Sequence, residues 1–308
     1  MKHATFRDRT LGLEGDGPYP TERLRPWAGK RFSLPCEDDF LRGSGTEAHA
    51  YLDASREAWL DHPEYMDFLD PSSPVHGLKV LERHLVLHHW DRWLADARTA
   101  LDVGCGIGRF ATALLERGMD VIGVDADLES LRRLLWHASE GPGRLDLRWS
   151  TVHHLPEVTV DVAVAAEVLC YVPDVVPAMR AIAERLRPGG VVLWSVEARW
   201  GWAASQDAPA GGLEAALGGD GVVSLPNHYV RTFDRADVER LVADAGLELL
   251  EAVPSHWVTD GPLEDLLNDA ISVEELVAIE DRCRSHPVWG PLHRLWLVAA
   301  RRPTSGSW

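Results

Sequence analysis

Lysine is almost missing from this 308-residue chain: Lys2, Lys30 and Lys79 are all there is among 31 basic residues. The formal net charge is −17. Between Glu197 and Asp281, 18 Asp and Glu residues face four arginines and no lysine, a balance of −14 in under a third of the chain. A phosphate backbone needs the opposite sign, so nucleic acid is excluded as a partner, whereas a cationic ligand would be drawn in. Cysteine is sparse too: Cys36, Cys105, Cys170 and Cys283 stand far apart, with no CxxC and no Cys/His cluster at zinc spacing. A disulfide framework and a structural zinc are therefore not expected, nor is any other metal, and a reducing cytoplasm suits the chain. No window approaches the run of about 18 to 20 apolar residues that a membrane span requires. The basic residues near Met1 have no apolar stretch behind them, so no secretory signal is expected.

What is present changes rhythm along the chain. Residues 1 to about 45, rich in Pro and Gly, read as an irregular arm. From Ala48 to Asp96 apolar residues recur at helical spacing (Leu78, Leu81, Leu85, Leu87, Trp90), with breaks at Pro71 and Pro74. Then short apolar runs alternate with helical ones. TALDVGC, DVIGVDA, LDLRWSTV, VDVAVAAEV and VVLWSVEA read as strands, separated by segments such as RFATALLERG and VVPAMRAIAERLRPGG. That alternation predicts an α/β fold with a mostly parallel sheet and right-handed crossovers. Residues 200–227 resemble a lid, DRADVERLVADAG is a helix, and LELLEAV and LHRLWLVAAR are strands around an acidic insertion at 255–290. These last two strands suggest an antiparallel edge. The expected division is a helical cover (1–98), a catalytic domain (99–300) and a tail (301–308).

The chemistry is concentrated in Leu101-Asp102-Val103-Gly104-Cys105-Gly106-Ile107-Gly108, a strand running into alternating glycines and then a helix. Glycine permits a tight turn and close approach to a ligand, and the helix start behind it offers free N–H groups. A dinucleotide fingerprint, Gly106-x-Gly108-x-x-Ala111, also fits. Asp102 opposes a pyrophosphate, however, and suits a ligand carrying an ammonium group. Leu186-Arg187-Pro188-Gly189-Gly190 adds a turn that nicotinamide folds do not require.

Taken together, residues 99 to 198 resemble the core of class I S-adenosylmethionine-dependent methyltransferases, with the DxGxGxG loop at Asp102–Gly108, an acidic strand end at Asp125 and the LxPGG turn at Leu186–Gly190. The likeness extends over residues 228–250. It implies a Rossmann-like sheet, to which the residue patterns add an antiparallel last strand, an N-terminal helical segment and helical cap insertions. It also implies S-adenosylmethionine as cofactor and S-adenosylhomocysteine as product. By the same resemblance Asp102, Gly104, Gly106 and Gly108 would cradle the cofactor, while Asp125 and Ala126 would hold its ribose. Thr151 and Val152 stand where the family places its adenine contact, with Thr151 replacing the usual Asp. Glu167 opens the loop AEVLCYVPD, in which Cys170 and Tyr171 replace the commoner Glu-His pair.

Methyl transfer needs alignment of nucleophile and methyl group, and an oxygen nucleophile also benefits from a base. His228, Tyr229 and Tyr171 are the candidate catalytic residues. Glu197, Asp207, Asp260, Glu264 and Asp265 could hold substrate ammonium groups, and Trp200 could offer an aromatic face. The leading expectation is N-methylation of a small cationic natural product, such as an aminoglycoside in antibiotic biosynthesis. O-methylation of a neutral polyketide, phenol or sugar is the alternative, followed by a cofactor-binding module without transferase activity.

Overall fold

The computed structural model describes residues 31–33, 61–138, 143–204, 214, 217–218, 221–224, 229–259, 261, 263 and 271–304. In chain order these form β1 (Arg31–Ser33), α1 (Pro63–Met66), α2 (His76–Leu94), β2 (Thr99–Val103), α3 (Ala111–Glu116), β3 (Asp120–Asp125), α4 (Leu128–His137), β4 (Leu145–Trp149) and β5 (Val160–Ala166). There follow α5 (Val175–Arg185), β6 (Leu186–Glu197), α6 (Arg199–Ala204), β7 (Val222–Ser224), β8 (Tyr229–Arg231), α7 (Arg235–Asp244), β9 (Glu248–Ser255), α8 (Val273–Ser285) and β10 (Leu295–Arg301).

Eight strands make one sheet in the order β1-β4-β3-β2-β5-β6-β10-β9, and β7 and β8 pair as a small antiparallel ribbon. The first six strands are mutually parallel, and β10 runs against both β6 and β9. This is the expected Rossmann-like sheet with an antiparallel last strand. The last two strands form the antiparallel edge anticipated from sequence: β10 lies between β6 and β9, and β9 is outermost. β10 is buried at most positions, which a two-sided neighbour accounts for, while β9 alternates less strictly and starts exposed. One departure is β1, which places part of the proline- and glycine-rich arm beside β4. The LxPGG turn is likewise part of β6, as a local irregularity against β5 with Gly189 at φ 79°.

Strand order reverses between β2 and β5, so the crevice at the carboxyl ends of these strands is where a ligand belongs. One face of the sheet is covered by α2, α3 and α4 through residues such as Trp90, Leu114 and Leu131. The other face is covered by α5 and α7 through Met179, Ile182, Val238 and Leu241. Local signals set the helix starts. The Asp127 side chain accepts N–H groups of Glu129 and Ser130, and capping boxes start α7 (Asp234/Asp237) and α8 (Ser272/Glu275). Asp125 is thus left free of the capping role its position could have implied. In α2 the buried stripe is Glu82, Val86, Trp90 and Leu94, at i+4 spacing, so a glutamate stands on the core-facing side.

Candidate active site

β2 delivers Asp102 to the crevice and turns into the glycine loop, which is tied to β3. The Gly104 and Cys105 N–H groups both donate to the Val124 carbonyl, at 2.7 and 3.1 Å. Gly104, Gly106 and Gly108 sit at φ 65°, 51° and 102°. The Asp125 carboxylate accepts the Gly106 N–H at 2.7 Å and the Asp127 N–H at 2.8 Å. Asp125 therefore fixes the loop and the start of α4 in one stroke, and each oxygen retains a lone pair for a further donor.

Two chambers open on this loop. The first, of about 210 Å³, is lined by Asp125, Ala126, Thr151, Val152, His153 and Tyr171, among others. The second, of about 270 Å³, is lined by Tyr65, Met66, Phe68, Lys79, Asp102 and Arg109, among others. Gly104, Gly106, Ser130, Ala166 and Glu167 belong to the walls of both. The two are thus halves of one elongated cleft bent around the glycine loop.

The halves differ in charge. Asp102 is buried, and its Oδ2 has no hydrogen-bond partner among the described residues. Burial, reinforced by the nearby Asp125 charge, pushes its carboxyl up to about 8. Burial and then the Asp127 charge raise Asp125 to about 6, against the pull of the N–H groups it accepts. For Glu167, burial acts upward, but Arg109 and Lys79 outweigh it and hold the carboxyl at about 2. Glu167 has φ 58°, uncommon for a residue with a side chain, and its N–H is held at 3.0 Å by both the carbonyl and the hydroxyl of Ser195. The loop after β5 is thereby forced to present this carboxylate to the cleft.

The cofactor residues singled out in the sequence converge here, with one exception. Gly108 is outside both sets of lining residues; a Cβ there would lie 2.3 Å from Leu134 Cδ1, so its role is packing of the loop on α4. Thr151 Oγ1 is 3.2 Å from His154 Nδ1, and Val152 is buried beneath the first chamber. Ala126 is held by its carbonyl, which accepts Trp149 Nε1–H at 2.8 Å. Tyr171 reaches the first chamber from the short turn Leu169–Tyr171. Tyr229 begins β8 and is paired with Ser224. Glu197 is buried in an ion pair with Arg294 and lines neither chamber. Trp200, on α6, is 40% exposed and likewise lines neither. His228, Asp207, Asp260, Glu264 and Asp265 lie outside the described residues. Sequence reasoning missed Lys79, Glu82, Arg109 and Ser130. The glutamate on the buried stripe of α2 was the available signal.

Some of the acidic residues are paired internally. Arg199 binds Asp234 and Asp237, Arg235 binds Glu239, Arg92 binds Glu251 and Arg284 binds Asp281. Glu280 is buried and accepts the N–H groups of His256, Trp257 and Val258 at 2.7, 2.9 and 3.1 Å. Part of the acidity of this region is therefore architectural: Arg92, Arg284 and Arg294, from outside the stretch, bring its balance from −14 to −11.

A family model described as a methyltransferase domain matches residues 75–252, more than half of the chain. The chain belongs to this methyltransferase family. Among curated relatives, it is 30% identical over 195 residues to a ubiquinone biosynthesis O-methyltransferase of Nitrosospira multiformis, covering 60% of this chain and 77% of the relative. It is 34% identical to the protein of that name from Aliivibrio fischeri strain ES114, covering 40% of this chain and 53% of the relative. The methyltransferase thus spans about three quarters of one such relative and about half of the other. Among solved structures, the Burkholderia thailandensis 1,6-didemethyltoxoflavin-N1-methyltransferase aligns with TM-score 0.50 and 17% identity, over 83% of this chain and 88% of that one. That likeness concerns the fold.

The cofactor of this class I methyltransferase is S-adenosylmethionine. The residues present fit it. A Cβ at Gly106 would meet nothing within 4 Å, so the loop faces open space between the chambers. The orphaned Asp102 oxygen waits for a donor, and Asp125 offers acceptors for vicinal hydroxyls.

Proposed function

We propose that this methyltransferase moves the methyl group of S-adenosylmethionine to a hydroxyl oxygen of a small acceptor, a phenol or enol in type. The observation that carries the cofactor half is the bent cleft with a shared wall at Gly104 and Glu167, which suits a nucleoside in the first chamber and an amino acid in the second. The choice of oxygen is supported by relatives named O-methyltransferases, at 30 to 34% identity. The internal pairing of some of the acidic residues weakens the argument for a polycationic amine acceptor.

When bound, the cofactor supplies an electrophilic methyl carbon and departs as a neutral thioether. The chain's part is placement. Asp125 accepts from the ribose hydroxyls, while Val152 and Thr151 wall the base. Asp102 faces the ammonium of the amino acid arm. Tyr171 flanks the approach of the acceptor. His228 and Tyr229 remain the candidates for taking the hydroxyl proton, and the cap acids Asp207, Asp260, Glu264 and Asp265 those for holding the acceptor, whereas Glu197, paired with Arg294, and Trp200 line neither chamber. Alignment of this kind contributes several kcal/mol to a bimolecular transfer, and a base adds about 10²- to 10⁴-fold.

The test is incubation with isotopically labelled S-adenosylmethionine and a panel of catechols, monophenols and polyamines, read by mass spectrometry. Label on phenolic oxygen is expected. Label confined to amines would refute the oxygen assignment.

A further inference from the structure

The second chamber carries a polar relay that neither the sequence motifs nor the transfer chemistry accounts for. Lys79 Nζ donates to Glu82 at 2.9 Å, Arg109 Nη1 donates to Glu82 at 3.3 Å, and Arg109 Nη2 pairs with Glu167. Lys79, Arg109 and Glu167 line the chamber, whereas Glu82 lies behind them with its side chain 2% exposed. A carboxylate this deep is costly to bury unless its partners are held with good geometry, and here it has two cations on it. Arg109 is further fixed by stacking over the Phe110 ring, 4.9 Å from its centroid. The order along the relay is cation, anion, cation, anion, with both cations facing the cavity. Among the described residues, the remaining charge in the chamber wall is Asp102, on the side of β2.

From this arrangement we infer that Glu82 is a positioning residue: it sets the Lys79 ammonium and the Arg109 guanidinium as a fork for the α-carboxylate of the cofactor's amino acid arm. The inference rests on the S-adenosylmethionine reading of the cleft. It extends that reading to a division of labour, with the α2 and α3 side of the chamber taking the carboxylate and Asp102 taking the ammonium. Without Glu82 the two cations would repel one another and turn outward. With it both are held on the same carboxylate, at 2.9 and 3.3 Å.

The experiment compares two ligands that share a nucleoside. S-adenosylhomocysteine carries the amino acid arm, and 5′-methylthioadenosine lacks it. Titration calorimetry on the full chain, with unfolding temperature as a control, is run for wild type, Glu82→Gln and Lys79→Met. Glu82→Gln is expected to weaken S-adenosylhomocysteine roughly tenfold or more, the size of one lost hydrogen bond to an ionic group, while leaving 5′-methylthioadenosine within about twofold. Lys79→Met, on a partly exposed side chain, should show the same selectivity and keeps the test valid if Glu82→Gln does not fold. Equal weakening of both ligands, or no change in either, would overturn the positioning role alone. A wild-type protein that bound neither ligand would overturn it together with the cofactor assignment.

Discussion

Two glycines two residues apart should fail in opposite ways when given a methyl group. At Gly108 the backbone has φ 102°, and a Cβ would stand 2.3 Å from Leu134 Cδ1. Leu134 is fully buried in the core under α4 and cannot swing aside. Backbone strain of about 1–3 kcal/mol and overpacking of about 1–3 kcal/mol together predict that Gly108→Ala loses roughly 2–6 kcal/mol of stability, a large share of the ~5–15 kcal/mol typical of a folded chain. At Gly106, φ is 51° and the new methyl meets no atom within 4 Å. Only the left-handed strain applies there, about 1–2 kcal/mol. The methyl would instead intrude where the two chambers join, so ligand affinity should suffer more than stability. Urea unfolding followed by calorimetry with S-adenosylhomocysteine separates the two quantities. The expected pattern is a much lower midpoint for Gly108→Ala, and for Gly106→Ala a smaller fall that reflects about 1–2 kcal/mol, with affinity down by roughly a hundredfold, the equivalent of about 2.7 kcal/mol. If Gly106→Ala bound S-adenosylhomocysteine as well as wild type does, the loop would not be the cradle.

The other expectations concern charge. Asp102 and Asp125 have carboxyls raised to about 8 and about 6 in the fold, so each favours the folded state fully below its unfolded value. That contribution is lost as pH rises through about 6 and then about 8, and ligand-free stability should decline across this window in unfolding measurements. An ammonium placed beside Asp102 ionises it, so S-adenosylhomocysteine binding near pH 7 should release up to about one proton; identical heats in buffers of different ionisation enthalpy would contradict this. Glu280→Ala leaves three buried N–H groups of residues 256–258 without an acceptor and should cost about 3 kcal/mol or more, with Glu280→Gln intermediate; a loss below about 1 kcal/mol in urea would refute the account. Buried Asp67 accepts from Arg133 at 2.9 Å and faces His137 Nε2 at 2.7 Å, anchoring to α4 the segment that brings Tyr65, Met66 and Phe68 to the second chamber. Asp67→Ala should therefore speed S-adenosylhomocysteine release roughly tenfold in stopped-flow, and an unchanged rate would mean the cover is held by other contacts.

What could be read from sequence follows from the range of the forces involved. The glycine loop, Asp125 and the alternation of strands and helices are local, because a parallel strand buried on both faces and a helix start each write themselves within a few residues. The position of β10 is not local: β9 and β10 are both apolar enough to sit inside or at the edge, and their order is decided by which neighbours remain for β6. Charge balance needs a correction for a related reason. Counting Glu197 to Asp281 as a window leaves out Arg92, Arg284 and Arg294, which lie outside it in sequence and inside it in space. An acidic stretch signals a cationic ligand only after its distant arginines have been subtracted. Glu82 shows the converse. Its neighbours Val86, Trp90 and Leu94 at successive i+4 positions mark it as core-facing, and a carboxylate on a core-facing stripe implies cations brought to it by the fold. Lys79 is three residues away on the same helix, but Arg109 is reached only through the turn after β2. The sequence therefore contains the anomaly, and the topology supplies its partner.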